Sequence, residues 1–106
     1  MKTSPTQLSL KELRKTCAAV QVVEKWNPHA RIRQDLFGFV DIIAVCGPDT
    51  IAVQSTSWDN VSSRATKIAE SPLVAAVREA GWRILIHGWR KNAKTKRYEL
   101  KTLDVS

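Results

Sequence analysis

One acid interrupts the most apolar stretch of this chain. Phe39-Val40-Asp41-Ile42-Ile43-Ala44-Val45 is short, rich in β-branched residues and bounded by Gly38 and Gly47, which is the profile of a buried strand. An unpaired carboxylate in such a place is expensive, so Asp41 has either a partner or a use. Cys46-Gly47-Pro48-Asp49 reads as a turn and Thr50–Thr56 as the returning strand. If a four-residue loop closes with Val45 opposite Thr50, counting back sets Asp41 opposite Gln54. A two-residue turn at Pro48-Asp49 sets it opposite Thr56 instead. In both registers Asp41, Gln54 and Thr56 share one surface, because opposite residues on paired strands point to the same face.

The rest of the chain supplies elements to pack on that hairpin. Leu8, Leu10, Leu13, Cys17 and Val20 recur at roughly helical spacing and predict a first helix over about 8–18, capped by Thr6 or Ser9. Residues 20–26 read as a strand, broken by Asn27-Pro28-His29. A basic connector follows over 31–35. Asp59 or Asn60 can cap a helix over about 60–69, and Ser71-Pro72 reads as the N-cap and first residue of another, stopped by Gly81. Trp82–Trp89 predicts a further strand, 91–96 a charged turn, and 98–105 an edge strand. The order helix, three strands, helices, two strands predicts one α/β domain over residues 1–106, with helices packed on a mixed sheet.

Charge narrows the partners. Lys and Arg number 17 against 10 acids in 106 residues, a net charge of +7, and the physical counterpart of such an excess is a polyanion. Nucleic acid leads; an acidic protein or an anionic membrane surface would attract the same charge. No apolar run approaches the roughly 20 residues of a membrane span. Lys11 and Glu12 interrupt the N-terminal leucines where a signal peptide needs an unbroken apolar stretch, which predicts a cytoplasmic protein. Cys17 and Cys46 lack CxxC spacing and are expected to be buried free thiols.

Glu24, among Val22, Val23 and Trp26, is a second acid on an apolar strand, although an acid at a sheet edge in solvent would look the same. Glu12 competes for its role, but lies among Lys11, Arg14 and Lys15 on what reads as a solvated helix face. Carboxylate and carbonyl oxygens converging near Asp41 suit a hard divalent cation such as Mg²⁺.

Gly38-Phe39-Val40-Asp41-Ile42-Ile43-Ala44-Val45 followed by Ile51-Ala52-Val53-Gln54-Ser55-Thr56 resembles the two catalytic strands of the PD-(D/E)xK nucleases. The likeness is to the Holliday-junction resolvase and VRR-NUC-type branches, many of them in phages and prophages, and it covers roughly residues 8–90. It implies a restriction-endonuclease-like αβββαβ core and a Mg²⁺- or Mn²⁺-dependent endonuclease acting on branched or duplex DNA, in the cytoplasm of a bacterial or phage-infected cell. Two symmetric cuts at a junction would call for a homodimer. Carried over, Asp41 is the central metal ligand, Glu24 the upstream acid, and Gln54 stands at the second acid. The Ser55 main-chain carbonyl completes the metal shell. Thr56 stands where the family carries a lysine and cannot supply its positive charge. Lys67 and Arg64, three residues apart on one helix face, are the expected replacements, and either could reach back. Asp35 and Thr56 are expected to support the ligands without touching the ion, Asp35 otherwise serving as a cap near Gly38. Arg31, Arg33, Arg64, Lys67, Arg90 and Lys91 are expected to contact DNA, within a pool that also includes Lys94, Lys96 and Arg97. The alternative is a nuclease-fold DNA-binding module that has lost the chemistry.

Overall fold

Ser4 and Pro5 start the first helix. In the computed structural model, which describes residues 3–106, helix α1 (Pro5–Leu13) has Pro5 in its first turn and Ser4 at its N-cap. The Ser4 hydroxyl accepts from the Gln7 amide at 3.2 Å. A missing N–H and a fixed φ suit proline to that place, so the cap lies before Thr6 and Ser9, the two expected residues. The helix ends at Leu13, short of residue 18, and the chain turns through 14–18 into the sheet.

The run 20–26 does not form one strand. β1 (Ala19–Val22) joins the main sheet, whereas β2 (Lys25–Asn27) leaves it and pairs antiparallel with β3 (Ile32–Gln34) as a separate two-stranded ribbon. The expected basic connector is thus largely a strand. The Asn27 side chain makes the ribbon's turn, its Oδ1 accepting from the His29 and Ala30 amides at 3.0 and 3.2 Å, as Asn does in turns.

β4 (Ile42–Cys46) and β5 (Asp49–Ser57) form a hairpin around Gly47-Pro48, with Gly47 at φ 59°. Val45 lies opposite Thr50 and Ile42 opposite Val53; one step further sets Asp41 beside Gln54, the first of the two predicted registers. Cys17 and Cys46 are joined as a disulfide rather than left as free thiols. The turn after α1 lays Cys17 against the end of β4, 4.3 Å between Cα atoms, although 29 residues separate the two in sequence.

A 3₁₀ turn (Trp58–Asn60) leads into α2 (Val61–Ala69), followed by α3 (Val74–Glu79). Ser71-Pro72 precedes α3 instead of opening it. The Ser71 side chain accepts from the Leu73 amide and its carbonyl from the Val74 amide, which makes a turn of this segment. β6 (Arg83–Lys91) then runs parallel to β5, and β7 (Tyr98–Asp104) returns antiparallel as the edge. The result is an α/β fold with a mixed five-stranded sheet, ordered β1-β4-β5-β6-β7. Among the described residues no helix is long and apolar enough to cross a membrane.

Strand alternation divides the core into two layers. Ala52, Ile84 and Ile86 face Val61, Ile68 and Val77 of α2 and α3. Ile42, Ala44, Ile51, Val53 and Leu85 face Leu13 of α1. Gln54 and Thr56 therefore point toward α2, Ser55 toward α1. Gly88 on β6 allows the start of α2 to sit close: a Cβ there would lie 2.3 Å from Val61 Cγ2 and 3.2 Å from the Trp58 Cα.

Candidate metal and nucleic-acid site

Three carboxylates meet on the α2 side of the sheet. Glu24 lies just after β1, Asp35 just after β3 and Asp41 just before β4. One oxygen of each lies within 4.8 Å of the others. A tight loop returns the chain on itself here. Leu36 bridges to Val40, with Phe37 and Gly38 at φ 57° and 81°, so Asp35 at the start of the loop comes back beside Asp41 at its end.

Asp41 is buried, 3% exposed. Its Oδ2 accepts from Gln54 Nε2 and from the Ser55 amide, both at 2.9 Å. Burial pushes its carboxyl up to about 8, reinforced by a hydrogen bond to Asp35 and by the charges of Asp35 and Glu24. The Ser55 amide opposes the shift. Asp41 is thus largely protonated at neutral pH. Gln54 is also 3% exposed, and its Oε1 is buried without a hydrogen-bond partner. Such an orphaned oxygen is rare in a folded protein, and among the described residues none supplies its donor.

A cleft of about 260 Å³ opens over these groups, rimmed by Arg33, Arg64 and Lys67. Arg33 Nη1 donates to Glu24 Oε1 at 2.6 Å and Lys67 Nζ to Asp35 Oδ2 at 3.4 Å. The structure therefore brings together Glu24, Asp35, Asp41, Gln54, Ser55, Arg33, Arg64 and Lys67. Asp35 lies closer than predicted, within the carboxylate cluster itself. The contact from Ser55 to Asp41 is made by its amide. Thr56 is buried on the same face of the sheet and does not line the cleft. Glu12 pairs with Lys15 at 3.0 Å on α1, across the sheet from the cleft. Arg31 is exposed in the turn of the β2–β3 ribbon, and Arg90 and Lys91 lie at the end of β6.

A second buried polar cluster went unforeseen. On the α1 side, Ser9 is fully buried and its Oγ lies 2.8 Å from Ser55 Oγ, 2.9 Å from His87 Nδ1 and 2.8 Å from Trp89 Nε1. The indole donates. The other two bonds can run either way, and in each arrangement Ser9 Oγ gives one proton and accepts two. Burial pushes His87 down to about 4, opposed by the charge of Glu12, which keeps the ring neutral at neutral pH. The available signal was position: Ser9 stands four residues before Leu13, on the helix face that faces the sheet.

A scan of protein-family models, a search of curated proteins and a search of solved structures each return no match to this chain. The chemistry open to it is read from the donor set. Three acids and an unpaired amide oxygen are hard ligands for a divalent cation, and three basic side chains beside them suit a phosphate.

Proposed function

We propose that the chain is a metal-dependent endodeoxyribonuclease of the PD-(D/E)xK type with a restriction-endonuclease-like core, acting on branched or duplex DNA as a homodimer. The observation that carries this reading is the cleft itself: Glu24, Asp35 and Asp41 within 4.8 Å of one another, next to the orphaned Gln54 Oε1. These four residues fit Mg²⁺ or Mn²⁺, with the Ser55 carbonyl as the expected main-chain ligand. Such an ion supplies an activated water and offsets charge on the phosphate under attack. The Asp41 proton is given up when the cation binds, since ligation requires the carboxylate. Lys67 and Arg64 stand on the rim, where the family's missing lysine charge would be needed, and hold the scissile phosphate against the acids.

One observation favours the catalytically silent alternative. Arg33 and Lys67 already pair with Glu24 and Asp35, so part of the acidic charge is balanced without an ion. Incubation with labelled four-way junctions and duplexes in Mg²⁺ or Mn²⁺ separates the two. The nuclease reading expects metal-dependent cleavage that falls on the order of a hundredfold or more in Asp41→Asn, the scale of removing one charge-stabilising group. No cleavage in either metal, or full activity in Asp41→Asn, overturns it in favour of the binding module.

A further inference from the structure

The basic charge of this chain is not spread evenly. Residues 90–101 carry six of the 17 basic side chains, Arg90, Lys91, Lys94, Lys96, Arg97 and Lys101, against one acid, Glu99. They lie on the far half of the β6–β7 hairpin. β5 ends at Ser57 opposite Trp89, so beyond Trp89 the two strands continue as a ribbon with, among the described residues, no third strand beside them. The tip is ordered rather than loose. Asn92 exchanges backbone bonds with Lys96 and Arg97 at 2.8 Å, and its Oδ1 accepts from the Lys94 and Thr95 amides at 2.8 and 3.2 Å. Lys91, Lys94, Lys96 and Arg97 are all exposed.

The arm is braced at its base on the cleft side of the sheet. Arg90 lies 3.9 Å over the Trp58 ring and Lys101 5.4 Å from it, and Arg90 is held by Glu99 at 2.8 Å. Register places the arm relative to the acids. Gln54 is opposite Ile86, and the loop begins six residues further on, roughly 20 Å along the strand. A rod of negative charge crossing this end of the sheet spans both.

We propose that the β6–β7 ribbon is a DNA-binding arm that enters the major groove of B-form duplex, with Lys94, Lys96 and Arg97 on the phosphates. A two-stranded ribbon fits a groove about 12 Å wide, whereas the deep, narrow major groove of A-form RNA excludes it. The proposal rests on the nuclease reading only for its choice of DNA; the grip itself needs no metal.

The test is binding of the full chain to a labelled DNA duplex in chelator, across a salt titration. In the triple variant Lys94→Gln, Lys96→Gln, Arg97→Gln, affinity falls on the order of tenfold or more. The slope of log affinity against log salt drops by about 0.9 per lost contact, nearly three in all. The variant Lys11→Gln, Arg14→Gln, Lys15→Gln removes the same charge from α1 and the turn after it, on the opposite face, and leaves that slope within about one unit. An unchanged slope in the arm variant, an equal loss in the α1 variant, or equally tight binding of an RNA duplex overturns the proposal. Arm-dependent binding without any cleavage overturns only the nuclease reading; cleavage with arm-independent binding overturns only this one.

Discussion

The two faces of the sheet each bury a polar cluster, and the clusters are built to opposite standards. On the α1 face, Ser9, Ser55, His87 and Trp89 satisfy one another, and the histidine is held neutral. On the α2 face, Asp41 carries a proton it would lack in water, beside two other acids and an amide oxygen with no donor. Ser55 joins the two, its hydroxyl on one side and its amide on the other. A closed network serves the fold, because a buried polar group is tolerated when every hydrogen bond is made. The α2 cluster is left open at the Gln54 Oε1, and that difference is what makes the α2 side the candidate for binding a ligand.

The contrast can be broken experimentally. Ser9→Ala strips partners from Trp89, Ser55 and His87 at once and is expected to cost about 3 kcal/mol in urea unfolding; a loss below about 1 kcal/mol would mean that the closed network is not structural. Mg²⁺ at tenfold excess over its Kd should raise wild-type stability by about 1.4 kcal/mol and leave Asp41→Asn unmoved, as thermal melts would report. Asp41→Asn alone should stabilise the metal-free chain by roughly 1 kcal/mol at pH 8, where the wild type must ionise a buried acid. A destabilised variant at that pH would place Asp41 among the structural groups. Gln54→Met removes the orphaned oxygen along with one hydrogen bond and should change stability by less than about 1 kcal/mol in the same assay.

Titration gives the most specific signature. Asp41 is raised from 3.8 to about 8, so its contribution is full below about pH 4 and is lost as pH rises toward 8. His87 is lowered from 6.5 to about 4, so its contribution is full above 6.5 and is lost as pH falls through 4. Between about pH 4 and 6.5 these slopes oppose one another, and above 6.5 only the loss from Asp41 remains. Stability measured against pH should be nearly flat and then decline to pH 8, and Asp41→Asn should abolish that decline.

What the sequence disclosed follows the range of the forces involved. The pairing of Asp41 with Gln54 was legible because a two-residue period and a short turn fix register locally. That Lys67 and Arg64 share one helix face followed from their spacing, whereas the expectation that they reach toward the hairpin came from the family resemblance. The central position of Asp35 was not legible, since it depends on the loop between Leu36 and Val40 and on the β2–β3 ribbon, which a continuous apolar reading of 20–26 conceals. The Cys17–Cys46 bond was hidden for a similar reason: its spacing reports nothing until α1 has docked. Ser9 read as a cap because serine favours caps, and only packing against His87 and Trp89 gives it an interior role.

Gly88 has no side chain, touches no acid and offers nothing to a phosphate, yet it bears on the site. It lets Val61 and Trp58 settle against β6 at the start of α2, the helix that carries Arg64 and Lys67 to the rim of the cleft. A single methyl group at position 88 would act as a wedge, forcing the Val61 side chain and the Trp58 backbone beside it to give way.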